Sequence, residues 1–197
     1  MKVRQLFVAA MLGLTGIGSS ASAAPITFTT VLGNFENPVT GSLGTGFATV
    51  TMDVVAHTMT ISASFSGLTG TTTAAHIQCC VNPPGNVGVA TQIPTLAGFP
   101  AGVQAGSYLN TYDMTLATSF SAAYITANGG TTASAEAALF AGMQAGQAYF
   151  NIHTPTSLAG EIRGFLAVPE PDAAWLAAAS LLPLWFASRR SSAKRRI

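Results

Sequence analysis

Four side chains in this 197-residue sequence carry chemistry that needs partners: His76, Cys79, Cys80 and His153. In an extended segment residues 76 and 78 point to one face. His76 therefore offers an imidazole that His153 and a thiolate from Cys79 or Cys80 could join around a zinc or copper ion. Gln78, on the same face as His76, is a poor ligand for either metal. The competing reading has His76 and His153 orienting loops through hydrogen bonds, with the cysteines bonded or simply buried. Across a trans peptide adjacent Cα atoms stand about 3.8 Å apart, below the roughly 4.4–6.8 Å window usual for a disulfide. A vicinal disulfide, two free thiols, metal ligation and intermolecular bridges are all open to this pair.

Glu161 and Arg163 are separated by one residue, hence on one face of an extended segment. The structural reading has Arg163 pair with Glu161 or reach backbone carbonyls. The catalytic alternative has Glu161 meet His153 across a hairpin. His57 falls in an expected turn and is given no role. Asp53 and Asp113 are isolated carboxylates, which leaves a glycosidase pair unsupported. No Ser/His/Asp order, phosphate-cradling glycine loop or H-E-x-x-H motif occurs. The three histidines of the whole chain are too few for a dimetal centre of the copper-zinc dismutase type. The expectation is a protein that is not an enzyme.

The elements that must position these residues are mostly strands. Phe47, Thr49, Thr51 and Asp53 alternate with Ala48, Val50, Met52 and Val54, the period of a half-buried strand. Met59, Ile61, Ala63 and Phe65 alternate with hydroxyl residues in the next run, across a short 55–58 link whose turn chemistry is poor. Further strand-like runs cover 26–32, 75–78, 108–116, 148–153 and 161–166. One segment differs: Thr131 or Thr132 caps a helix over 133–144, in which Ala137, Leu139, Phe140 and Met143 share helical spacing and which Gly142 and Gly146 end. The proline- and glycine-rich stretch 83–106 reads as a long ordered excursion. Together these predict an all-β fold, an antiparallel β-sandwich with one short inserted helix.

Both ends read as targeting segments. Lys2 and Arg4, the apolar run 6–17 and Ala21-Ser22-Ala23 form a secretory signal peptide over 1–23. At the other end Val168-Pro169-Glu170-Pro171 precedes an apolar segment, 173–187, and then Arg189, Arg190, Lys194, Arg195 and Arg196. As a helix that segment reaches about 22 Å, short of the roughly 30 Å hydrocarbon core, so a C-terminal transmembrane helix is expected but marginal. Its basic flank orients it with the terminus in the cytoplasm. Between Ala24 and Val168 the chain holds one cation, Arg163, against five carboxylates, Glu36, Asp53, Asp113, Glu136 and Glu161, a net charge of −4. Nothing in that charge attracts nucleic acid or an anionic membrane surface.

The tail resembles a PEP-CTERM sorting signal, in the order proline-glutamate-proline motif, short apolar helix, terminal arginine cluster. That resemblance implies a Gram-negative bacterium, exosortase as partner, a transient inner-membrane anchor and removal of the tail at or near 169–171. A permanent single-helix anchor is the alternative. The run Ala148-Tyr149-Phe150-Asn151-Ile152-His153-Thr154, followed by Gly160-Glu161-Ile162-Arg163-Gly164, resembles the closing hairpin of the CHRD domain, first described in chordin and widespread in bacterial secreted proteins. Ala75-His76-Ile77 and the strand ending at Gly67 lie upstream in family order. The resemblance implies an immunoglobulin-like or superoxide-dismutase-like sandwich over 46–167, preceded by a strand and linker at 24–45 and followed by the sorting tail at 168–197. It assigns no general enzymatic activity. Family members commonly show His-x-His where this chain has His76-Ile77-Gln78, so the metal reading must lean on Cys79 or Cys80. The expected role is binding or structural, at the cell surface or in the exopolysaccharide matrix, with exopolysaccharide or other surface proteins as partners. The alternative is an extracytoplasmic metal-binding or redox-active sandwich.

Overall fold

The computed structural model describes residues 24–170. The leader at 1–23, Pro171, the apolar segment 173–187 and the basic residues of 189–196 lie outside the described residues. Among the described residues no helix is long and apolar enough to cross a membrane.

Seven strands follow the expected runs: β1 (Ile26–Leu32), β2 (Thr45–Asp53), β3 (Thr58–Ser66), β4 (Ala74–Gln78), β5 (Gly106–Asp113), β6 (Tyr149–Thr154) and β7 (Ser157–Phe165). They form an antiparallel two-sheet sandwich, β1-β2-β3-β5 against β4-β6-β7. Alternation sets the faces as the sequence expects. Ala48, Val50 and Met52 of β2 and Met59, Ile61, Ala63 and Phe65 of β3 are buried, and their hydroxyl neighbours face outward. From the smaller sheet Ala75, Ile77, Phe150, Ile152 and Ile162 enter the same core.

The 55–58 link succeeds despite its composition because Asp53 caps it. Its Oδ1 accepts from the amides of Val55 and Ala56 at 3.0 and 2.9 Å, an Asx-type turn. His57 then takes the left-handed conformation at φ 53°, which strains a residue with a β-carbon.

A 3-10 turn (Ala117–Ser119) and two α-helices lie between β5 and β6. The expected one is α2 (Thr132–Gln144), with Thr131 as N-cap in a capping box with Ser134. A six-residue helix, α1 (Ala122–Ala127), precedes it, capped by Ser121. Gly142 does not end α2 but lies inside it. The stop is a Schellman motif, in which Gly146, at φ 66°, donates to Met143 O and Gln147 donates to Gly142 O at 3.0 and 2.8 Å. The buried side of α2 comprises Ala135, Glu136, Leu139, Gly142 and Met143, and Ala137 is exposed rather than on the apolar face.

The excursion that composition placed at 83–106 runs over 79–105, between β4 and β5. Phe99 drops from it into the core, its ring centroid 5.6 Å from Phe65, 5.3 Å from Tyr108 and 6.4 Å from Phe150. One loop residue thereby contacts both sheets, each aromatic pair adding about 0.5–1.5 kcal/mol beyond burial.

Candidate functional site

The register of β4, β6 and β7 gathers the polar candidates on one face. Gln78 stands opposite Tyr149, which stands opposite Phe165; His76 faces Asn151, which faces Arg163; Ala74 faces His153. Because Ile77, Phe150, Ile152 and Ile162 turn inward, these residues and Glu161 turn away from the core. That outer face is not open to solvent. The 33–44 strap between β1 and β2 crosses it, with Gly33 paired to the backbone of Arg163, and the 79–105 excursion covers the rest.

Arg163, fully buried, is the knot of this arrangement. Its Nε donates to Phe35 O at 2.8 Å, Nη1 to Asn86 Oδ1 at 2.7 Å and Gly85 O at 3.3 Å, and Nη2 to Pro84 O at 2.8 Å. The guanidinium lies over the Tyr149 ring, 4.7 Å from its centroid. Of the two structural options raised by sequence, the backbone carbonyls are the partners and Glu161 is not. Glu161 instead accepts from Ser42 Oγ at 2.6 Å, Thr69 N at 2.5 Å, Gly70 N at 3.0 Å and Thr154 Oγ1 at 2.7 Å. Burial pushes its carboxyl up, but these four donors outweigh that and hold it below the usual range.

The two histidines come together, ring centroids 5.1 Å apart. His76 donates from Nε2 to Pro94 O at 2.8 Å, and its Nδ1 is buried without a partner. Burial, then the nearby His153, lowers its pKa to about 4. His153 donates from Nδ1 to Leu158 O at 3.0 Å, and its Nε2 faces the Gln78 amide at 3.4 Å. Burial lowers its pKa as well. Gln78 is anchored in turn by the Tyr149 hydroxyl at 2.5 Å. His153 and Glu161 are thus bound to different partners, and no acid–base pair forms between them.

The cysteines leave this face. Cys79 and Cys80 are bonded to each other and pack on α2, where a β-carbon at Gly142 would overlap both sulfurs. As a disulfide they supply no thiolate to His76 and His153. Among the described residues no group of three or more His, Cys, Asp or Glu side chains is arranged to hold a metal ion. The zinc or copper site is therefore reduced to two imidazoles, fewer than the three protein ligands typical of a zinc centre. Val168, Pro169 and Glu170 are exposed, just past the bridge of Ala167 to Thr29.

Sequence reasoning missed three participants. Asn151 and Glu36 flank Arg163 from β6 and the strap, and no local pattern marks them. His57 is more than a turn residue, since its Nδ1 meets Oε2 of the buried Glu136 on α2 at 2.7 Å. The positions are 79 residues apart, which is why no spacing rule reveals the pair.

The CHRD domain family model matches residues 28–166. The chain belongs to the CHRD domain family. No curated protein and no solved structure matches it. The CHRD match begins in β1 and ends just after β7, so it spans both sheets, the strap and both helices. Membership of the CHRD family suggests an extracellular binding or structural domain.

Proposed function

We propose that this CHRD domain is a non-catalytic secreted module with a binding or structural role. In this reading exosortase releases it from a transient inner-membrane anchor to the cell surface or the exopolysaccharide matrix of a Gram-negative bacterium. The observation that carries the non-catalytic part is how the chemically able side chains are used. Arg163 and Glu161 spend their hydrogen bonds on the strap and loops, and the cysteines are joined to each other. An acid or base held this way has no free approach for a substrate.

Charge supports a neutral partner over an anionic one. The one cation between Ala24 and Val168 is Arg163, which is buried, so this span offers no surface cation to an acidic polymer. The outer face of the larger sheet is instead hydroxyl-rich. Thr27, Thr51, Thr60 and Thr111 align in one row across four strands, suited to hydrogen bonding with a neutral polysaccharide. The Val168-Pro169-Glu170-Pro171 motif, the apolar segment and the arginine cluster support the sorting route.

The test is expression of the full chain, and of one lacking Val168–Ile197, in a Gram-negative host that carries exosortase. The full chain should be released without tryptophan fluorescence, because Trp175 and Trp185 both leave with the tail. The truncated chain should fail to follow that route to the surface. Identical processing and location of the two would remove the sorting claim.

A further inference from the structure

Two side-chain oxygens under the strap have no donor. Glu36 Oε1 and Asn151 Oδ1 are both buried without a hydrogen-bond partner, in residues 5% and 0% exposed. They abut one point, since a β-carbon at Gly160 would overlap both. Turning the carboxamide over does not help. Its Nδ2 donates to Ala159 O at 2.9 Å, a group that only accepts, so a flip would leave the Ala159 carbonyl facing an acceptor. The cluster is short of one donor, and neither oxygen touches solvent. A proton on the Glu36 carboxyl would supply that donor.

The Arg163 guanidinium is placed as it would be beside a neutral acid. Its Nη1 stands 3.6 Å from Glu36 Oε2, beyond the roughly 2.7–2.9 Å of a charge-assisted bond, while its N–H groups go to Phe35, Pro84, Gly85 and Asn86.

We propose that a proton shared between Glu36 and Asn151 latches the 33–44 strap onto β6 and β7, and that its loss loosens the strap. The cavity of about 300 Å³ between the strap and the β6–β7 turn, lined by Glu36, Pro38, Thr40, Leu158 and Gly160, then widens. Burial pushes the Glu36 carboxyl up to about 7 from 4.5, against the pull of Arg163. A raised carboxyl pKa means that the folded state holds the proton more tightly than the unfolded chain. The latch is fully closed below about 4.5 and lost as pH rises through about 7. The charged and titratable groups that face it come from three strands. Arg163 on β7 is cationic, Glu161 on β7 is held ionised by its four donors, and Tyr149 on β6 has its pKa raised by burial. Burial lowers the pKa of His76 on β4 to about 4 and lowers that of His153 on β6 as well.

Carbon-detected NMR of the isotopically labelled full chain, with hydrogen exchange at Thr40, Gly41 and Ser42, tests this. The Glu36 Cδ resonance should titrate near pH 7. Over the same range, strap protection should fall about tenfold per pH unit above the midpoint, relative to β2–β3 amides. In Glu36→Gln the new amide donates permanently to Asn151 Oδ1, and strap protection becomes independent of pH. A Glu36 midpoint near its ordinary value overturns the proposal. So does strap protection that ignores the Glu36 titration, or Glu36→Gln with the pH dependence of the parent. If Glu36→Gln does not fold, the titration of the parent chain decides alone.

Discussion

His76 shows how a residue with the chemistry of a ligand becomes a structural one. Its Nε2 hydrogen bond to Pro94 O ties β4 to the excursion, and burial keeps the ring neutral by lowering its pKa to about 4. A depressed histidine pKa means that the unfolded chain binds the extra proton. The stability contributed by neutral His76 is therefore complete above about 6.5 and lost as pH falls toward 4. Glu36 titrates with the opposite sign over much of this range, so the two must be separated by substitution. His76→Gln keeps a donor for Pro94 O and removes the titration. Urea unfolding of His76→Gln should show a rise in stability between pH 4 and 6.5 smaller than the parent's by on the order of 2 kcal/mol. An unchanged rise would place the controlling group elsewhere.

Among the elements, α2 is placed by what its glycine allows. Gly142 brings the helix backbone onto the Cys79–Cys80 disulfide, with no room for a β-carbon. Gly142→Ala improves helix propensity by about 1 kcal/mol, yet overlap with two sulfurs costs roughly 1–3 kcal/mol. The variant should melt at a lower temperature than the parent in a calorimetric scan; a raised melting temperature would show that α2 does not rest on the disulfide. This contact also marks the limit of what the sequence revealed. The strands were legible because Met59, Ile61, Ala63 and Phe65 repeat with a period of two, and α2 because Thr131 and Gly146 punctuate it. The packing of Gly142 on Cys79 and Cys80, the capping of Glu161 by Ser42 and Thr69, and the meeting of His57 with Glu136 join residues far apart in the chain. Neither local propensity nor periodicity encodes such pairs. His76 and His153 were singled out by residue type, and their proximity follows from the pairing of β4 with β6; the separation of the cysteines from them follows from the turn toward α2 after Gln78.

At the scale of the whole molecule, the smaller sheet closes the sandwich with polar side chains rather than apolar ones. Its outer face holds the strap through Glu161 and Ser42, and the excursion through Arg163 and His76, so long irregular segments are fixed without a second core. Arg163 is the centre of this closure because one guanidinium serves acceptors at 35, 84, 85 and 86. A lysine keeps the charge but not the planar fork that reaches them together. This face works as an internal clamp, and the stability of Arg163→Lys against urea reports on it. The clamp predicts a loss of at least about 1–3 kcal/mol, the cost of leaving a buried acceptor without its donor; Arg163→Lys as stable as the parent chain would refute it.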